Sequence, residues 1–202
     1  SGLARPVGYS PIRLPGRWKH GYALDQHTVS SEFQGYDEFG HEQFLTQRTE
    51  LGELLYRFKY KSDETALSAI VASAAGFLRK ERLVAELIVP VPPSRERERQ
   101  PTQQLATALG KQLAIPVIVA LRKRGSSKEL KAVFDFDERS KLLEDALQAT
   151  SSARGVQGKR VLLLDDLWRS GATMNAAATI LLEESHVRDV VALAITKTRS
   201  NK

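Results

Sequence analysis

The chain has 202 residues and no cysteine. That absence excludes disulfides, thiolate nucleophiles and cysteine-built zinc sites, and it fits a reducing compartment. Long apolar runs are lacking too. The stretch Ala69–Leu78 (AIVASAAGFL) falls well short of the roughly 18 residues that a membrane-spanning helix needs. Residues 1–15 carry no apolar stretch of the signal-peptide kind. A cytoplasmic protein with no membrane partner is the expectation. There is no internal repeat and no low-complexity tract. Charge of one sign is not concentrated: 30 Lys and Arg against 24 Asp and Glu give +6. That surplus suits phosphate-rich ligands but is modest for nucleic acid, and no aromatic platform interleaves with a basic stripe. Nucleic acid is therefore not an expected partner.

What is present is ordinary for a soluble globular protein: 42% apolar, 27% charged and 7% aromatic residues. The length suits one domain with a full core, or one domain and a cap. Residues 1–16 hold Pro6, Pro11 and Pro15 and read as an extended arm. Trp18–Phe33 is β-prone and reads as strands or a hairpin, and residues 34–47 are polar and punctuated by glycine. Thr49 is placed to cap a helix carrying Leu51, Leu54, Leu55 and Phe58 on one face. A second helix carries Leu67, Ile70, Val71, Ala74 and Leu78.

From there apolar strands alternate with amphipathic helices. Strands are expected at Val84–Val91, Val117–Leu121, Arg160–Leu164 and Val190–Ile195. Helices are marked by Leu105, Leu109 and Leu113; by Leu142, Leu143 and Leu147; and by Met174, Ala177 and Leu181. This pattern predicts an α/β fold, a parallel sheet covered by helices on both faces. Ligands on such sheets bind beyond the carboxyl ends of the strands.

The most informative segment is Val161–Thr173, VLLLDDLWRSGAT. Four apolar residues run into Asp165 and Asp166, and a short loop through Ser170-Gly171-Ala172-Thr173 opens a helix. A small-residue loop at a helix N-terminus offers N–H groups and hydroxyls to an anion. Two carboxylates beside it can accept hydrogen bonds from a pair of sugar hydroxyls. A ribose 5-phosphate has both parts. The plainer alternative is an acidic strand end followed by a helix cap.

Other loops fall at the same sheet edge. Pro90–Gln104 (PVPPSRERERQPTQQ) sets Arg95, Arg97 and Arg99 among Glu96 and Glu98, and taken alone an alternating-charge loop is usually solvated. Arg122–Lys131 (RKRGSSKELK) is basic and glycine-containing, a composition that suits a mobile loop. Thr196–Lys202 is short and leaves any second-substrate pocket poorly specified. Three patterns are set aside. Asp135-Phe136-Asp137 lacks the long apolar strand of a phosphatase DxD motif. Gly155–Lys159 (GVQGK) is too short for a phosphate loop and precedes a strand. His20, His27, His41, Asp25 and Asp37 have no metal-ligand spacing.

The Val161–Thr173 segment resembles the phosphoribosyl-pyrophosphate (PRPP) loop of the type I phosphoribosyltransferases: four apolar residues, Asp-Asp, a variable stretch, then Thr-Gly-x-Thr. Val161–Leu164, Asp165, Asp166, Gly171 and Thr173 match. Ser170 stands where Thr is usual, and Arg169 replaces a commoner Thr. Phe58-Lys59-Tyr60, Pro90-Val91-Pro92 with Arg95, Arg99 and Gln103, and Glu138-Arg139 are similar to the ComF family over about residues 51–197. ComF relatives often carry an N-terminal zinc ribbon, which a chain without cysteine cannot form.

The resemblance implies the type I phosphoribosyltransferase fold, a parallel twisted sheet flanked by helices. Residues 48–202 would form this core, and residues 1–47 an arm and a small β-rich hood. It implies a pentosyl glycosyltransferase that binds PRPP with Mg²⁺ and passes phosphoribose to an acceptor with release of pyrophosphate. Asp165 and Asp166 would orient the ribose hydroxyls and stabilise the cation-like sugar. Arg169, Ser170, Gly171, Ala172 and Thr173 would hold the 5-phosphate. Arg95, Arg99, Arg122, Lys123 and Arg124 would neutralise pyrophosphate, and the loop after Leu121 would close over the ligand. Mg²⁺ would arrive with the ligand rather than on a protein site, with Asp165 and Asp166 as its nearest donors. Asp25 and His27 are weaker candidates for the acceptor side, and a homodimer is one possible assembly. Two other readings stay open: a non-catalytic PRPP or nucleotide sensor, and a ComF-like factor associated with DNA uptake.

Overall fold

A computed structural model describes residues 4–93, 99–124 and 146–199. Its centre is a five-stranded sheet in the order β1-β2-β9-β8-β5. The strands are β1 (Ile12–Arg13), β2 (His20–Gln26), β5 (Leu87–Pro90), β8 (Arg160–Trp168) and β9 (Asp189–Lys197). β2, β9, β8 and β5 run parallel, and β1 closes one edge antiparallel to β2. Successive residues of a strand point to opposite faces, and both faces here are buried. Leu87, Val89, Val161, Leu163, Val190, Ala192 and Ala194 pack on one side. Ile88, Leu162, Leu164, Val191, Leu193 and Ile195 pack on the other. This accounts for the unbroken apolar runs in the sequence.

Helices α1 (Glu50–Lys61), α2 (Glu64–Lys80) and α3 (Pro101–Leu113) cover the second face, while α4 (Ala172–Glu183) and the 3-10 segment Ser151–Val156 cover the first. α1 begins as the sequence predicts. Thr49 accepts a hydrogen bond from the Gly52 N–H at 3.0 Å, and its own hydroxyl donates to the Gln26 carbonyl at 2.6 Å. Gly52 lies so close to the end of β2 that a Cβ there would overlap the His27 carbonyl oxygen. The start of α1 is thereby fixed against β2. About 1.5 Å per residue then carries its C-terminal turn across the sheet edge.

Trp18–Phe33 forms strands, one of the two expected outcomes, rather than a hairpin, and three other expectations need correction. β2 enters the central sheet beside β9, whereas β3 (Thr28–Tyr36) pairs with β4 (Glu42–Arg48), which lies inside the segment read as polar. Within residues 4–47, β1 and β2 belong to the central sheet and the β3–β4 ribbon is separate from it. Val117–Leu121 is not a strand: Val117 makes one parallel bridge to Ile88, and the Ala120 N–H then turns back to the Ile118 carbonyl. Pro116, without an N–H, gives β5 only a carbonyl acceptor. The chain instead forms β6 (Leu121–Lys123), antiparallel to β7 (Leu147–Ala149). Leu147, assigned to a helix with Leu142 and Leu143, therefore lies on a strand, and the other two fall outside the described residues. Finally, the strand expected to stop at Leu164 continues to Trp168, so Asp165 and Asp166 are within β8 rather than after it.

Candidate functional site

β8, β5 and α4 meet at the carboxyl edge of the sheet around a cleft of about 420 Å³. Asp165, Asp166 and residues 167–174 form its floor and one wall. Pro90–Pro93 and Gln100–Gln103 form another, with Val119, Leu121, Lys59 and Tyr60 completing the rim.

The acidic pair is held tightly. The Asp166 N–H donates to the Asp165 carboxylate at 2.8 Å. The Lys59 ammonium, at the last turn of α1, pairs with Asp166 Oδ2 at 2.8 Å, and both side chains are largely buried. Burial and the neighbouring Asp166 charge push the Asp165 carboxyl well above the usual carboxylate range. Burial also acts to raise Asp166, but the Lys59 charge and its hydrogen bond outweigh it and hold Asp166 below its ordinary value. Around neutrality Asp166 is thus the charged partner, matched by Lys59, and Asp165 is the readier proton carrier.

Beside the pair, Gly171 caps α4 in the left-handed region, with φ +82°. A Cβ at Gly171 would also overlap the Trp168 ring. Conformation and close approach both require glycine here. No side chain caps α4, and its first turn carries no carboxylate. The Ser170 hydroxyl takes only a long hydrogen bond from the Ala172 N–H, 3.4 Å. The positive end of a twelve-residue helix is therefore open to the cleft. Arg169, Ser170, Gly171, Ala172 and Thr173 all line it.

Trp168 fixes this loop from behind. It is buried and meets Trp18 edge-on, with ring centroids 6.1 Å apart. The Trp18 indole N–H donates to the Leu14 carbonyl at 2.9 Å. Trp18 itself lies against Gly16 and Gly21, where any Cβ would overlap its ring. The N-terminal arm and the loop are thus packed as one body.

The remaining candidates are placed elsewhere. The Arg99 guanidinium turns back onto α1 and α2, donating to Gln104, the Phe58 carbonyl and Glu64, and does not line the cleft. Arg122 and Lys123 sit on β6 rather than in a loop, and Arg124 Nε donates to Gln148 Oε1 at 3.1 Å; none of the three lines the cleft. Burial lowers the Lys123 pKa. Arg95 and residues 125–131 lie outside the described residues. Asp25 pairs with Thr196 on β9, and Thr196 pairs with Leu167 on β8, so Asp25 and His27 are at the same sheet edge but two strands away. Neither lines the cleft. The His27 ring bonds Thr196 Oγ1 at 2.8 Å. Burial, then the charges of Arg48, Lys59 and Arg169, lower its pKa.

Sequence reasoning missed Lys59, Tyr60, Trp168 and the Gln100–Gln103 wall as site residues. Lys59 and Tyr60 were visible as a family fragment. A lysine in a helix's last turn nonetheless reads as an ordinary dipole partner, and only the fold brings it to Asp166. Among the described residues, no group of three or more His, Asp or Glu could hold a metal. The two carboxylates are hard oxygen donors and fit a magnesium ion whose other ligands come with a diphosphate. No helix among the described residues is long and apolar enough to cross a membrane.

No protein-family model matches the chain. It is 27% identical over 150 residues to the competence protein ComFC of Bacillus subtilis (strain 168), covering 72% of this chain and 59% of that one. The chain thus spans somewhat more than half of that relative's length. Among solved structures, adenine phosphoribosyl transferase from Trypanosoma brucei, in complex with AMP, pyrophosphate and ribose-5-phosphate, superposes with a TM-score of 0.50 at 11% identity, covering 95% of this chain and 87% of that one. Orotate phosphoribosyltransferase from Aeropyrum pernix gives 0.47 at 14% identity, over 85% of this chain and 76% of that one.

Proposed function

We propose, for a chain that is similar to ComFC and has the type I phosphoribosyltransferase fold, that the cleft binds PRPP and transfers phosphoribose to an acceptor with release of pyrophosphate. One observation carries the reading: an acidic pair and an open helix N-terminus line one and the same cleft. The uncapped N–H groups of α4, with Ser170 Oγ and Thr173 Oγ1, receive the 5-phosphate. Asp166, held charged by Lys59, accepts from one ribose hydroxyl, and Asp165 meets the other. As the anomeric C–O bond lengthens, the negative Asp166 stabilises positive charge developing on the sugar without reorganising. Magnesium, when bound, neutralises the diphosphate and makes it a better leaving group. Asp165 and Asp166 are the residues placed to approach it. Asp25 and His27 stand toward the acceptor side of the same edge.

A second reading has one observation in its favour. No cation among Arg99 and Arg122–Arg124 lines the cleft, which suits a module that senses a phosphoribosyl group without cleaving it. Calorimetric titration with PRPP and Mg²⁺, followed by a pyrophosphate-release screen across bases and amines, separates the two. Binding with release supports transfer, and binding with no release on any acceptor supports sensing. Replacing Asp165 and Asp166 together by Asn is expected to weaken PRPP binding at least tenfold in a folded protein. Unchanged affinity would refute both readings.

A further inference from the structure

Among the described residues, Lys59 is the one basic side chain that both lines the cleft and pairs with Asp166. Its ammonium lies 2.8 Å from Asp166 Oδ2, on the side open to ligand. A carboxylate with as little solvent as Asp166 needs a positive charge beside it, because water no longer solvates it. A divalent ion would supply it, but no third carboxylate or imidazole groups with Asp165 and Asp166 among the described residues. Lys59 supplies it from within the chain. Its anchoring is firm: α1 is capped at Thr49, locked at Gly52 against β2, and buried through Leu51, Leu54, Leu55 and Phe58. Tyr60, exposed on the cleft rim, has its ring centroid 5.9 Å from the Lys59 ammonium. Arg169, the other cation lining the cleft among the described residues, lies in the loop before α4, leaving Lys59 to the acidic pair.

We propose that Lys59 is the resident cation of the acidic pair, positioning Asp166 so that a ribose 5-phosphate group binds without divalent metal and only a diphosphate requires one. This rests on the phosphoribosyl reading of the cleft. Lys59 is a positioning residue on this account, acting on the sugar through Asp166. Without it, Asp166 is left a buried charge with no cationic partner. An added divalent ion then restores part of what the ammonium did.

The test is calorimetric titration of the full chain with ribose 5-phosphate, in EDTA and in millimolar Mg²⁺, for the parent protein, Lys59→Met and Lys59→Arg. The parent is expected to bind equally in both buffers. Lys59→Met should bind roughly tenfold or more weakly in EDTA and recover in Mg²⁺, and that recovery itself shows the variant to be folded. Lys59→Arg should retain most of the affinity in EDTA. A Lys59→Met variant that binds like the parent in EDTA overturns the proposal, as does a deficit that Mg²⁺ does not relieve. Should Lys59→Met fail to fold, the parent arm still decides: loss of ribose 5-phosphate binding in EDTA refutes the resident cation while leaving the phosphoribosyl reading intact. Failure of the parent to bind ribose 5-phosphate in either buffer removes both.

Discussion

Asp165 is expensive to the fold at neutral pH. Its carboxyl is raised above the ordinary 3.8, chiefly by burial and then by Asp166. Between that ordinary value and the raised one, the folded protein binds a proton that the unfolded chain has released. Stability therefore falls as pH rises through this window. Asp165→Asn removes the charging cost while keeping a donor toward Asp166. It should raise the Tm at pH 7 by a few degrees, with a smaller gain near pH 4, and weaken binding of ribose 5-phosphate. A melting series over pH, run beside a titration, checks both; a lower Tm at pH 7 would contradict the assignment. His27 works in the opposite sense. Burial and the nearby Arg48, Lys59 and Arg169 hold its pKa below 6.5, so below pH 6.5 the unfolded chain takes up a proton that the folded one refuses. Stability should drop on acidification through this range. His27→Gln should make that drop shallower, measured as urea midpoints between pH 5.5 and 7.5.

The elements differ in how much of each was legible. β8, β9 and α4 were plain because their signals are local: unbroken apolar runs, then helical spacing behind a glycine. The cap of α1 was equally plain, since Thr49 acts within its own turn. The partner of β2 was not, because Tyr22-Ala23-Leu24 alternates equally well in a hairpin or in a parallel sheet, and only packing against β9 decides. The Lys59–Asp166 contact was hidden for the same reason, since it joins residues more than a hundred positions apart. The β3–β4 ribbon shows the difference in energetic terms. Phe33 and Phe44 face each other across it and meet edge-on at 5.7 Å, yet both are about half exposed. A two-stranded ribbon is marginal without a covering layer. Its amides should exchange with solvent orders of magnitude faster than those of β8 and β9. Equal protection in the ribbon and in β8 would mean that something covers it in solution.

At the scale of the whole molecule, the sheet divides labour between its ends. The amino edge is tied by surface charges, with Arg160 to Asp189 at 3.1 Å and Arg188 to Glu86 at 3.4 Å. Arg188–Glu86 is an exposed pair and adds little stability, while Arg160–Asp189 is half-buried. The carboxyl edge gathers the charge that matters to a ligand, and the N-terminal arm braces it from behind through Trp18 and Trp168. That brace has a spectroscopic consequence. The chain contains two tryptophans, and they are in ring contact with each other behind the loop that opens α4. Selective excitation of indole therefore interrogates one location rather than an average over the fold. An anion settling on α4 would alter the field at the Trp168 indole and change the colour or yield of its emission. The protein thus carries an unlabelled optical gauge of its own candidate site, and dye-free titrations with phosphate, ribose 5-phosphate and PRPP can be read from it directly.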